Sequence, residues 1–203
     1  MRIKFPRYSG IRCLMMPYIQ GDLNSVPMAY RLYSDIIKSV CVRSGDLGFL
    51  TIDESVAVAG KPHRGKRAKY ARALHTEAGR DPNEVYQWGD GGGGNWGGDR
   101  KVTLERGVKV LIASNLSNSC AVWDAEHERT SLDGDIGHEA WRYPYSEARM
   151  LEAGEVCEIG ILTPHESLPV ERDFNRQFLR IVSSGVHGRE SYFTENPLVP
   201  LEA

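Results

Sequence analysis

Of the six histidines in the chain, one is followed two positions on by a carboxylate, in His75-Thr76-Glu77. In extended backbone, residues i and i+2 point to the same face. The spacing therefore presents an imidazole and a carboxylate side by side, as two ligands of one metal. A third ligand has to come from a distant segment, and Pro164-His165-Glu166 offers one at the end of an apolar run. Two histidines and one carboxylate on one face of an ion leave the opposite positions open, a ligand set suited to iron(II). Downstream, Arg176 and Arg180 lie four apart in Asn175-Arg-Gln-Phe-Leu-Arg180, so on a strand they share a face. A guanidinium turned inward there needs a carboxylate or comparable acceptor, and it can fork onto a carboxylate bound to the same metal. A plainer reading stands beside this one. His165 caps a barrel rim by bonding a backbone carbonyl, and the arginines make ordinary salt bridges on an exposed face.

The elements that must position these groups are mostly strands. Val108–Ala113, Ser119–Trp123, two short runs within Arg149–Ile161 and Phe178–Ser183 are apolar and separated by turn signals such as Asp133-Gly134-Asp135 and Gly154. Many short strands at this spacing predict a barrel or sandwich. Leu47–Ile52 and Ser55–Ala59 read as two further strands. Ahead of them, Asn24-Ser25-Val26-Pro27 reads as a helix start, followed by Ala29, Tyr30, Tyr33, Ile36, Ile37 and Val40 at helical spacing and by Gly45 as a stop. Residues 1–60 are expected to form a helix-containing extension packed on a core of residues 61–203. Asn115 and Trp123, on core-lining strands, are expected to touch cosubstrate or substrate.

The remaining signals are less directive. The chain has 203 residues, 41% hydrophobic and 26% charged, which is globular rather than disordered. Its net charge of -2 does not indicate a protein that grips a nucleic-acid backbone. No apolar run reaches the roughly 18 residues of a membrane span, and no apolar stretch follows the basic opening, so neither a membrane anchor nor a signal peptide is expected. Four widely spread cysteines read as free thiols of a reducing, cytoplasmic compartment. Seven glycines within residues 89–98 predict a loop, here carrying Trp96 and following Trp88, without the Lys-Ser/Thr of a phosphate-binding loop. With the basic run from Lys61 to Arg72, that loop suggests a small-molecule or nucleotide substrate, anionic or aromatic. His63, His127, His138 and His187 read as solvated or structural. Asp133 and Asp135, flanked by His127 and His138, would be the place for any second metal.

Taken together, His75-Thr-Glu77, Pro164-His165 and the arginine strand resemble the iron(II)- and 2-oxoglutarate-dependent oxygenases. His75-Thr-Glu77 is similar to the clavaminate-synthase-like members, and Pro164-His165-Glu166 to the prolyl-hydroxylase members. The resemblance implies a double-stranded β-helix core (a jelly roll of cupin-like form) over about residues 70–185. It implies Fe(II) held by His75, Glu77 and His165, and 2-oxoglutarate bound by Arg176 or Arg180 with Asn115 nearby. Arg176 fits the prolyl-hydroxylase spacing; Arg180 fits that of the taurine-dioxygenase group, which carries a pair of arginines here. The chain departs from the family in using Glu rather than the commoner Asp, and residues 1–60 have no counterpart. Two other functions are compatible with the same residues: a metal-free β-barrel binding or assembly module, and a cupin-like metalloenzyme that uses no 2-oxoglutarate.

Overall fold

The computed structural model describes residues 1–63, 70–77, 79–80, 86–87, 101–102, 109–127, 134–183 and 193–199. The fold is dominated by antiparallel β-sheet with one flanking α-helix. A five-stranded sheet contains β1 (Arg12–Ile19), β2 (Leu47–Ala57), β6 (Lys109–Ser114), β9 (Cys157–Ile159) and β11 (Phe174–Ser183), in the order β1-β2-β11-β6-β9. A second sheet has the order β10-β7-β8, from β7 (Cys120–Val122), β8 (Arg149–Met150) and β10 (His165–Ser167). Between β2 and β6 lies a third small sheet of β3 (Gly79–Arg80), β4 (Tyr86–Gln87) and β5 (Lys101–Val102), in chain order. The glycine-rich segment 89–98 and His187 lie outside the described residues. Residues 1–60 contribute β1 and β2 directly to the large sheet.

Side-chain alternation explains how the layers stack. On β2, β6 and β11, Phe49, Val110, Ile112, Phe178 and Val182 meet Cys120 and Val122 of β7, and this shared core joins the two principal sheets. The alternate residues Leu50, Ile52, Leu111, Leu179 and Ile181 face the other way. They are covered by Val26, Tyr33, Ile36, Ile37 and Val40, from the segment that includes α1 (Ser34–Ser39). Leu74, Ala121, Trp123, Ile136 and Tyr143 form a third cluster. Because Cys120 and Val122 take the inner face of β7, Ala121 and Trp123 belong to its outer one. No helix among the described residues is long and apolar enough to cross a membrane.

Two local expectations are corrected. The helix predicted from residue 24 is broken into 3-10 turns at Leu23–Ser25 and Met28–Tyr33 and the short α1. Pro27 is the cause at the first break: the residue before a proline is held extended, and Val26 has φ -100° and ψ 118°. The predicted pair of strands in residues 47–59 is one continuous strand, β2. Its polar centre does not interrupt it because Glu54, although buried, accepts hydrogen bonds from Ser9 N (2.7 Å), Gly10 N (2.6 Å), Ile11 N (3.1 Å), Tyr33 Oη (2.7 Å) and Gln177 Nε2 (2.8 Å). A buried carboxylate so supplied with donors is tolerated in a strand.

Candidate metal centre

His75 and His165 face each other across a single antiparallel bridge. Each backbone amide donates to the other's carbonyl, His75 N to His165 O at 3.0 Å and His165 N to His75 O at 2.9 Å. This pairing brings ring centroids from segments ninety positions apart (165 minus 75) to 4.1 Å. Glu77, two residues beyond His75 as the spacing anticipated, completes the group. One ligand atom from each of the three residues lies within 4.8 Å of the others, and all three residues are buried.

The imidazoles are oriented by their own backbone. His75 Nδ1 lies 2.8 Å from Ala73 O, and His165 Nδ1 lies 2.9 Å from Thr163 O. A carbonyl oxygen only accepts, so each Nδ1 carries the proton, and Nε2 of a neutral ring is left with a lone pair. The plainer expectation for His165, a hydrogen bond to a backbone carbonyl, is thus met by the same arrangement that aims Nε2 at the cluster. His165 Nε2 stands 3.4 Å from Glu77 Oε1. A lone pair facing a carboxylate oxygen is repulsive unless something positive lies between them. A proton can fill that role, and so can a metal ion. Ligands at about 2.1 Å and at right angles sit roughly 3 Å apart, close to the separation already present. The donor set therefore fits a divalent transition metal.

The other oxygen of Glu77 belongs to β11. Arg180 Nη1 donates to Glu77 Oε2 at 2.9 Å, with both side chains buried. Burial alone would raise the Glu77 pKa. The Arg180 guanidinium outweighs it and holds the carboxyl well below the usual glutamate range. Arg180 Nη2 rests against Met15 Sδ at 2.7 Å, and Thr51 Oγ1 also meets that sulfur at 3.3 Å. Met15 reaches this place because β1 bulges between Cys13 and Met16, with Met15 at φ 47°. Nothing in the amino-acid order announced that bulge.

Arg176 shares the inner face of β11 with Phe178 and Arg180 and is 3% exposed. Its guanidinium carbon lies 4.7 Å from the Phe178 ring centroid. Nε has no hydrogen-bond partner, and among the described residues no carboxylate lies within ion-pair distance. Burial pushes its pKa below the ordinary arginine value, against the opposing influence of Cys120 and Asp53. Asn115 is bonded to the strand on either side of Arg176. Its amide donates to Asn175 O at 3.1 Å, and its carbonyl accepts from Gln177 N at 2.8 Å. The expectation that the two arginines occupy an exposed face is overturned: both are buried on the core side.

Trp123 turns to the outer face of the small sheet, where its indole N–H donates to Pro144 O at 3.0 Å. His127 is buried with Nδ1 2.6 Å from Tyr143 Oη, in a structural setting. His63 Nε2 meets both Ser55 Oγ (2.9 Å) and Asp53 Oδ2 (3.2 Å). No second group of three metal-ligating side chains converges among the described residues, and Asp133 lies outside them. All four cysteines are free, and burial pushes the thiol pKa of Cys120 up to about 12. Searches against protein-family models, curated proteins and solved structures returned no match, so the reading of this centre rests on its own geometry.

Proposed function

We propose that the chain is an Fe(II)- and 2-oxoglutarate-dependent oxygenase, with His75, Glu77 and His165 as the iron ligands. The observation that carries this reading is the division of labour between the two buried arginines. Arg180 is committed to Glu77. Arg176, four residues and roughly 13 Å along the same face of β11, is a buried cation with no carboxylate partner among the described residues. A cation in that condition calls for an anionic ligand, and a dicarboxylate that also chelates the metal is a ligand of the right class.

The strand order supports the fold that the resemblance implies. The large sheet contains β2-β11-β6-β9. The bridge of His75 to His165 adds the His75 segment to the second sheet, ahead of β10-β7-β8. Along the chain the path runs from β2 to the His75 segment, back to β6, across to β7 and β8, back to β9, across to β10 and back to β11. Repeated crossing of this kind is how two sheets wind into a double-stranded β-helix.

In this reading each residue has a separate task. His75 and His165 present Nε2, with their tautomers fixed by the carbonyls of Ala73 and Thr163. Glu77 supplies the anionic ligand, and Arg180 holds it ionised and in place. Arg176 receives the remote carboxylate of the cosubstrate. Asn115 acts by fixing the β11 backbone on both sides of Arg176. The bound iron and cosubstrate supply the oxidation, in which 2-oxoglutarate is decarboxylated to succinate and CO2, one atom of O2 entering succinate and the other the substrate.

The test is succinate formation by the purified chain supplied with Fe(II), 2-oxoglutarate and O2. Wild type is expected to release succinate slowly even without substrate. His75→Ala and His165→Ala should lose both turnover and metal binding, while Arg176→Met should keep the metal and need far more 2-oxoglutarate. If both histidine variants bind metal as wild type does, the centre is assigned wrongly. An Arg176→Met protein with an unchanged 2-oxoglutarate requirement would instead favour a metalloenzyme that uses another cosubstrate.

A further inference from the structure

Two of the three proposed ligands ride on a segment that forms no strand. The backbone of residues 70–77 bridges β10 at His75–His165, and bridges residues 134–136 at His75–Asp135, where Thr76 N donates to Gly134 O at 2.9 Å and Ile136 N to Leu74 O at 3.2 Å. An isolated bridge does not by itself hold two ligands at a fixed bite. The side chain next to His165 does further work on the same segment.

Glu166 alternates with His165 on β10, so it points to the opposite face of the sheet, yet it is 3% exposed. Arg72 Nε and Nη2 both donate to Glu166 Oε2, at 2.8 and 2.7 Å. Glu166 Oε1 accepts from Ala73 N at 3.2 Å and from Tyr145 Oη at 3.2 Å. Arg72 Nη1 goes on to the carbonyls of Ala140 (3.0 Å) and Tyr143 (2.8 Å). Its guanidinium lies over the Tyr145 ring at 4.3 Å and the Trp123 ring at 5.2 Å. Ala73 is the junction. Its N–H is held by Glu166, and its carbonyl is the acceptor that orients His75 Nδ1.

We propose that Glu166 is a positioning residue for the metal centre, acting through the Ala73 residue on His75, with Arg72 as the cation that keeps it in place. The inference rests on the metal-centre reading given above. In many metal sites a carboxylate bonds the ligating histidine directly; here the carboxylate holds the backbone whose carbonyl does so. Both ligand-bearing segments, 72–77 and β10, are thereby tied to one side chain.

The test uses Co(II) alone, titrated into the purified full chain and read by its d–d absorption bands. Wild type is expected to bind with a defined spectrum, and Glu166→Ala to bind roughly ten- to a hundredfold more weakly with shifted bands. Glu166→Gln keeps an acceptor for Ala73 N and should recover most of that loss. Glu54→Gln, which disturbs a buried carboxylate on the opposite face of the large sheet from Arg180, should lower the unfolding midpoint and leave the Co(II) constant and spectrum unchanged. Should Glu166→Ala fail to fold, Glu166→Gln and Arg72→Met still report on the same junction, both with altered bands. Wild-type Co(II) affinity and spectrum in all the Glu166 and Arg72 variants that fold would overturn the proposal alone. A Glu166→Gln protein as weak as Glu166→Ala would overturn the route through Ala73. A wild-type chain that binds no Co(II) would remove the metal centre itself, and this inference with it.

Discussion

Two glutamates are buried in association with the large sheet, and they are satisfied in different ways. Glu54, on β2, is surrounded by donors: three consecutive backbone amides of residues 9–11, the Tyr33 hydroxyl and the Gln177 amide. Glu77 has one guanidinium on Oε2, and Oε1 faces an imidazole nitrogen whose proton is on the far side of the ring. The first is a closed knot that pins the N-terminal segment and the 3-10 turn of Tyr33 to β2. The second is a set of acceptors converging on one point. Burial of an acid therefore says little about function; the character of what surrounds it says a good deal.

The largest effect that would sharpen this contrast is on metal affinity. His75→Ala or His165→Ala should reduce Mn(II) or Co(II) binding by at least about a hundredfold, since each removes a ligand outright, whereas Glu54→Gln should not change it. Equilibrium dialysis with metal analysis checks both arms.

Next in size is stability. Glu54→Ala leaves several buried donors unpaired, and should cost about 3–5 kcal/mol in denaturant unfolding. Glu77→Gln removes the repulsion among acceptors while leaving Arg180 short of a counter-charge. It should cost less than Glu54→Ala in the metal-free chain, and an equal or greater loss would break the comparison.

The pH dependence should be smaller and shared. Burial would raise the Glu54 pKa, but its bonds from Tyr33, the Ser9 amide and Gln177 outweigh that and lower it. Glu77 is lowered too. Both folded values lie below the unfolded one, taken as 4.5. Their contributions are therefore fully present above that pH and are lost as pH falls through the folded values. Below about pH 5.5 the metal-free unfolding midpoint should decline, less steeply in Glu54→Gln. A chain whose stability rises as pH falls below about 4.5 would contradict both assignments.

The smallest effect concerns Met15. Met15→Leu keeps the volume and removes the sulfur that meets Arg180 and Thr51. It should cost less than about 1.5 kcal/mol and leave metal affinity within a fewfold of wild type. A large loss of affinity would place Met15 among the groups that hold the Arg180–Glu77 pair.

The centre was legible because its chemistry follows residue type and short spacing. His75 and Glu77 are two apart, and His165 stands at the end of an apolar run. The arginines were legible only as a pair: both fall on one face of β11, and only folding could show that Glu77 claims Arg180. Glu166 and Arg72 went unread because one entered only as the neighbour of His165 and the other as part of a basic run. Their partnership depends on β10 lying beside residues 72–73, which no local pattern encodes. The 24–44 region misled because apolar spacing outweighed the extended preference that Pro27 imposes on Val26. Polar Asp53-Glu54 looked like a break because the donors that satisfy Glu54 come from residues 9–11, 33 and 177, all distant in sequence.

The bridge between His75 and His165 also has a consequence for biosynthesis. A ribosome releases the first imidazole long before the second, and Arg180 follows later still. Until that second imidazole emerges, a nascent chain holds only one histidine and one glutamate of the centre, with a weak, unselective grip on any ion. In the proposed function, metal uptake therefore waits until β10 has been made and has paired with the His75 segment.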